Sequence, residues 1–264
     1  MRRDYLFWGF VLILLGGLMF LNSANIRLPG GINAMRLFWP LLLLLAGVWI
    51  ILGVILGGRS GPEKDVFVDL QDASQASVRI GHGAGYLSVN EGSTPGKLLT
   101  GRVTPGVDVK SKISGDRLDV RVVGKGVIIP FVNWSGLDWS FEFNPEIPIA
   151  LKLETGASRS DINLLNLKVT DLKLETGASS TNLILPAKAG SMTAKIELGA
   201  AALAVVIPQN VEARIRVDQG VSAVEIDTSR FPYSNGIYES AGYSLAENRA
   251  DIKVEAGAGK ISIH

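Results

Sequence analysis

The polar and apolar positions of this chain fall into two regimes. Tyr5 to Leu21 is seventeen residues without a charge, and Leu37 to Leu56 is twenty. At ~1.5 Å rise per residue, helices of those lengths reach ~25 Å and ~30 Å, against a hydrocarbon core of ~30 Å. The pattern predicts two transmembrane helices. Tyr5, Phe7 and Trp8 open the first span and Phe38 and Trp39 open the second, as interfacial aromatic anchors do. Pro29-Gly30-Gly31 turns the chain between the spans, giving a hairpin in contact with the lipid bilayer. Gly57 to Pro62 follows as a flexible joint. The expected organisation is a two-span region at 1–58, a linker at 59–64 and an all-β domain at 65–264.

From Asp65 onward apolar and polar positions alternate with glycine punctuation, and no long segment has a helical period. Leu151 to Ser158 recurs letter for letter at Leu172 to Ser179, 21 residues later. With its glycine as origin, the same frame appears at Gly83, Gly156, Gly177, Gly199, Gly220 and Gly257. The positions five and three before each glycine are apolar, and so is the position six after it. One strand-turn-strand unit cannot bury such a face alone, so it must lie on a neighbour. The predicted fold class is therefore a two-helix transmembrane hairpin plus an all-β parallel β-solenoid of roughly 21-residue coils. A Greek-key or sandwich arrangement is the alternative. Each glycine marks a corner where a side chain would clash or a positive φ is required.

The outward positions carry charge. Four before the glycine stand Arg79, Lys152, Lys173, Lys195, Arg216 and Lys253; two before it stand Glu154, Glu175, Glu197, Asp218 and Glu255, with Gly81 the exception. Stacking predicts a positive column beside a negative one. That is either a solvated face of offsetting charges or a recognition face for a charged partner, with Lys152, Lys173, Lys195 and Arg216 as its contacts. Two stretches break the frame. Trp139, Phe141 and Phe143 alternate onto one buried face, while Trp134, in Asn133-Trp134-Ser135-Gly136, marks a loop tip suited to a partner, to lipid headgroups or to capping the solenoid. Phe231 to Ala250 reads as an excursion before the terminal coil.

Composition removes several functions. The chain has no cysteine and two histidines, His82 and His264, which excludes disulfides, thiolate metal sites and cysteine nucleophiles. Beyond residue 64 there are 20 basic and 23 acidic residues, the overall 26 and 25 less six and two, which argues against nucleic acid as a partner. Gly81 to Gly85 precedes a strand rather than a helix, and Ile261 follows Gly257-Ala258-Gly259-Lys260 where a phosphate loop needs Ser or Thr. No catalytic, cofactor or metal residue is predicted, and the chain is not expected to be an enzyme. A cleaved signal peptide at 1–24 is disfavoured, because Leu21-Asn22-Ser23-Ala24 lacks a small residue three positions before the cut. Arg2, Arg3, Arg59 and Lys64 outnumber Arg27 and Arg36 near the spans, which orients a multi-pass membrane protein with its β domain in the cytoplasm.

Phe7-Trp8-Gly9 through Leu15-Gly16, then Trp39-Pro40-Leu41 through Leu45-Ala46-Gly47, resembles the membrane unit of the LiaF family. Trp139 to Ser158, with Asn144-Pro145-Glu146-Ile147-Pro148 leading into the repeat, is similar to the toast-rack domain, an adhesin-like β-solenoid; so is the close, Ala250 to Ile263. The resemblance implies a bacterial envelope-stress role, in which the membrane protein restrains or relays a signal to a signalling partner. The expected function is a non-enzymatic, membrane-anchored regulator or scaffold presenting a rigid solenoid to a protein partner. The alternatives are a self-assembling solenoid, open at Ile261 to His264, and an outward-facing binder of cell-wall polymer.

Overall fold

A computed structural model describes residues 63–104, 107–124 and 138–264, with helical positions at 11–13, 15–17, 19–20 and 38–44. The two expected spans lie mostly outside the described residues, and so does Trp134. Among the described residues no helix is long and apolar enough to cross a membrane, so the two-helix hairpin is not shown.

The strands are β1 (Lys64–Asp69), β2 (Gln75–Glu91), β3 (Lys97–Val103), β4 (Val107–Ser114), β5 (Arg117–Gly124), β6 (Trp139–Phe143), β7 (Pro148–Asn163), β8 (Lys168–Ile184), β9 (Ser191–Val206), β10 (Glu212–Ile226), β11 (Tyr233–Ser234), β12 (Ile237–Glu239) and β13 (Arg249–Ile263). All belong to one compact unit. The six framed glycines fall inside the six long strands β2, β7, β8, β9, β10 and β13. Alternation slips by one residue beside the glycine in β7, β8, β9, β10 and β13, and two residues later, at Gly85–Tyr86, in β2. In β7 the buried residues are Ile149, Leu151, Leu153 and Thr155, then Ser158, Ser160 and Ile162. The strand therefore bends there into two legs that face a common interior.

Long strands run parallel in the order β2, β7, β8, β9, β13, β10, with the frame in register throughout. Successive glycines touch backbone to backbone. A Cβ on Gly177 would lie 3.0 Å from Gly156 O, one on Gly199 2.9 Å from Gly177 O, and one on Gly257 2.8 Å from Gly199 O. On Gly220 it would lie 2.6 Å from Gly257 O, and on Gly156 it would collide with Gly83 O. None of the six has a positive φ, so close approach rather than backbone freedom demands glycine here.

The sequential order of coils does not survive. β13 slots between β9 and β10, where Ile207 N donates to His264 O at 2.8 Å and His264 N to Val205 O at 3.0 Å. Every coil presents the same columns of side chains, so any coil can pair with any other, and the long excursion after β10 supplies the chain needed to come back. The open end is therefore β10, and Ile261 to Ile263 is an interior strand. β12 covers β10 only at Arg214 and Ile215. Arg230 pins the excursion by donating to the carbonyls of Ile207, Pro208 and Val211 at 2.6, 2.6 and 2.7 Å.

At the other end the 21-residue coil gives way to shorter strands. The first leg of β2 takes β5 in parallel and then β4 antiparallel; its second leg takes β6 in parallel, then β3 and β1 antiparallel. Trp139, Phe141 and Phe143 are all buried there on one face of β6. The frame's aliphatic positions are likewise buried in every coil, except Val217 and Ile226, both on β10.

Replacing Gly156 by Ala sets a Cβ against a backbone oxygen with coils on either side, and is expected to cost several kcal/mol or prevent folding. Gly83→Ala meets nothing within 4 Å and should change stability by no more than about 1 kcal/mol, with thermal unfolding of the two variants as the measurement.

Candidate functional site

The outward residues of the first leg carry charge in every coil. Register sets Arg79, Lys152, Lys173, Lys195, Lys253 and Arg216 in one column, and Glu154, Glu175, Glu197, Glu255 and Asp218 in the next. Each lysine reaches the acid two residues on in its own strand, at 2.7 Å for Lys152–Glu154, 2.6 Å for Lys173–Glu175, 2.6 Å for Lys195–Glu197 and 2.7 Å for Lys253–Glu255. Each also leans toward the acid of the following coil: Lys152–Glu175 3.0 Å, Lys173–Glu197 3.8 Å, Lys195–Glu255 3.8 Å and Lys253–Asp218 3.6 Å. Arg79, whose own strand has Gly81 at the acidic position, donates two hydrogen bonds to Glu154 from its Nη2, at 2.6 and 2.9 Å. Arg216 stands in the last coil and turns back to Asp251 at 3.3 Å.

Proton affinities follow from this zipper. Burial pushes the Glu154 carboxyl up, but hydrogen bonds from Lys152 and Arg79 outweigh it and leave the group below its ordinary value. Hydrogen bonds from Lys173 and Lys152 lower Glu175, and that from Lys253 lowers Glu255. Lys152 is raised by hydrogen bonds to Glu154 and Glu175, Lys195 by that to Glu197, and Lys253 by that to Glu255. The array is thus a self-neutralising ladder. Lys152, Lys173 and Lys195 spend their charge within the protein, and Arg216 does so at the end of the column.

The second leg is smoother. Ala157, Ala178, Ala200 and Ala258 align on its exposed face beside the corner. Tyr86 donates its hydroxyl to Asp161 at 2.9 Å, and Asn182 donates to the same carboxylate at 2.7 Å. The hydrogen bond to Asp161 is the main cause of the raised Tyr86 hydroxyl. Inside the corner, Thr155, Thr176 and Thr181 are buried hydroxyls whose oxygens have no hydrogen-bond partner among the described residues. His82 is buried with its ring 4.9 Å from that of Trp139, inside the packing rather than in a phosphate loop. Among the described residues no three His, Cys, Asp or Glu side chains gather as a metal site. The charge columns were legible from the repeat. The role of Arg230 and the link of Tyr86 to Asp161 were not, since each joins distant segments outside the frame.

The carboxylates are held down, so their contribution to stability is complete above the ordinary carboxylate value of about 4.3 and fades as pH falls through the depressed values. The lysines are held up, so theirs is complete below about 10.4 and fades as pH rises through the raised values. The melting temperature should be flat between about pH 5 and 10, fall on both sides, and show a smaller fall at 1 M salt. Lys173→Met should cost no more than about 1 kcal/mol at low salt, because the pair is partly exposed and Lys152 still serves Glu175.

Residues 57–206 match the family described as the N-terminal domain of toast_rack, DUF2154. No curated protein matches the sequence. Among solved structures, the chain is similar to a candidate cell adhesion protein from Clostridium sporogenes, at 20% identity and a TM-score of 0.66, covering 76% of this chain and 98% of that one. It also matches a candidate adhesin from Bacteroides fragilis at 13% identity and a TM-score of 0.30, covering 78% and 98% of the two chains. The stacked parallel coils and the family match agree: the chain belongs to the toast_rack N-terminal domain family.

Proposed function

We propose that this protein is a non-enzymatic scaffold of the bacterial cell envelope, anchored in the membrane by its N-terminal region, that presents a stiff β-solenoid to a protein partner in envelope-stress signalling. The charge ladder carries this reading. Its lysines and glutamates are paired coil to coil, and its interior is sealed with aliphatic side chains. Such an element resists local opening and suits holding a surface in place better than turning over a substrate. Anchoring is supported by the two charge-free runs Tyr5 to Leu21 and Leu37 to Leu56, and the cytoplasmic placement by the excess of basic residues flanking them. Partner contact through Trp134, and the resemblance of 1–58 to the LiaF membrane unit, belong to the same proposal.

Fractionation and protease treatment of spheroplasts test it. The full chain is expected in the membrane pellet after alkaline carbonate extraction, with its β domain protected until the membrane is broken. Release into the wash would remove the anchor. Digestion in intact spheroplasts would remove the cytoplasmic scaffold and favour an outward-facing binder. Photo-crosslinking from position 134 during envelope stress should yield a discrete protein adduct, and only lipid adducts would count against the partner.

A further inference from the structure

We propose that the open end of the solenoid is a homodimer interface, in which β10 of one copy pairs antiparallel with β10 of a second copy over Arg216 to Glu225. The inference is independent of where the β domain sits relative to the membrane. β10 is paired along its length with β13 on one side, but on the other it meets β12 only at Arg214 and Ile215. Past Ile215 its outer edge has no strand neighbour among the described residues. Val217 and Ile226, whose equivalents are sealed in every other coil, are only half-buried. An edge of this kind is a template for another strand. The free stretch holds neither proline nor lysine, the usual blockers, whereas the edge strand β4 at the other end carries exposed Lys110 and Lys112.

The second copy is singled out by shape, parity and charge. A two-fold axis through the corner lays the first leg of one β10 on the second leg of the other. Opposed residues in an antiparallel pair point to the same face. The inward residues of β10 are Ile215 and Val217 before the corner, then Ser222, Val224 and Ile226 after it. Setting Val217 opposite the partner's Val224 places Gln219 opposite the partner's Ser222, and outward Arg216 opposite the partner's Glu225. Symmetry repeats each pair. In the earlier coils the cation reaches forward to an acid on the next strand, and Arg216 is the one at which the stack runs out. Glu225 meanwhile lies 3.4 Å from Lys260, with both side chains 65% exposed. The partner's Glu225 continues the ladder at its open end.

The absence of native cysteine makes the register directly testable in the full chain held in detergent micelles. Antiparallel partners sit ~4.5–5.5 Å apart, within disulfide range, while positions 217 and 224 of one strand are too distant to join. The double variant Val217→Cys/Val224→Cys should oxidise to a covalent dimer, and each single variant should stay uncrosslinked. By sedimentation, Arg216→Glu and Glu225→Arg should each weaken the dimer about tenfold, through two repeated contacts, and Arg216→Glu/Glu225→Arg should restore it. Circular dichroism confirms that each variant keeps its strands. A monomer at all concentrations, equal crosslinking by the single variants, or no rescue by the reversal overturns the proposal. So does a dimer indifferent to Arg216→Glu, which assigns association to another surface.

Discussion

At the corner of the stack, the carbonyl oxygen of one coil occupies the space in which the next coil would carry a Cβ, and this contact recurs from Gly83 through Gly156, Gly177, Gly199 and Gly257 to Gly220. Everything else in the solenoid is arranged around it. Because the backbones meet there, both legs of every strand can keep hydrogen-bonding register with the coil below. Because alternation slips by one residue at the same point, both legs turn an aliphatic face to one interior. A side chain at the corner would force the coils apart and unzip register on both legs.

Register then organises the surface. Once equivalent residues are stacked at ~4.8 Å, like charges must stand above one another, a repulsive arrangement in isolation. The protein resolves it by placing the acidic column two residues from the basic one, so that each lysine lies between two carboxylates. The charges are therefore satisfied within the protein, and the face they form is nearly neutral. The repeat is interrupted elsewhere.

Those interruptions lie at the ends. One is closed by two separate sets of shorter strands, with β6 paired between β2 and β3 and its aromatic face buried. The other is met by β12 at Arg214 and Ile215, and beyond them β10 has no strand neighbour among the described residues. An element built from interchangeable coils has no intrinsic stopping point, so its length and its capacity to associate depend on how the ends are finished. Here they are finished differently.

The repeat frame, the corner glycines, the sealed aliphatic positions and both charge columns could be read from residue spacing, because each depends only on period and polarity. The burial of Trp139, Phe141 and Phe143 was legible for the same reason, from their alternation. The spatial order of the coils was not. Gly257 follows Gly220 in the chain but precedes it in the stack, since identical columns make every coil an acceptable neighbour for every other. That choice was decided by the return of the chain after β10, by Arg230 bound to three distant carbonyls and by His264 meeting Val205 and Ile207. Periodicity determines what a coil looks like. Contacts between segments far apart in sequence determine which coil is left at the end of the stack.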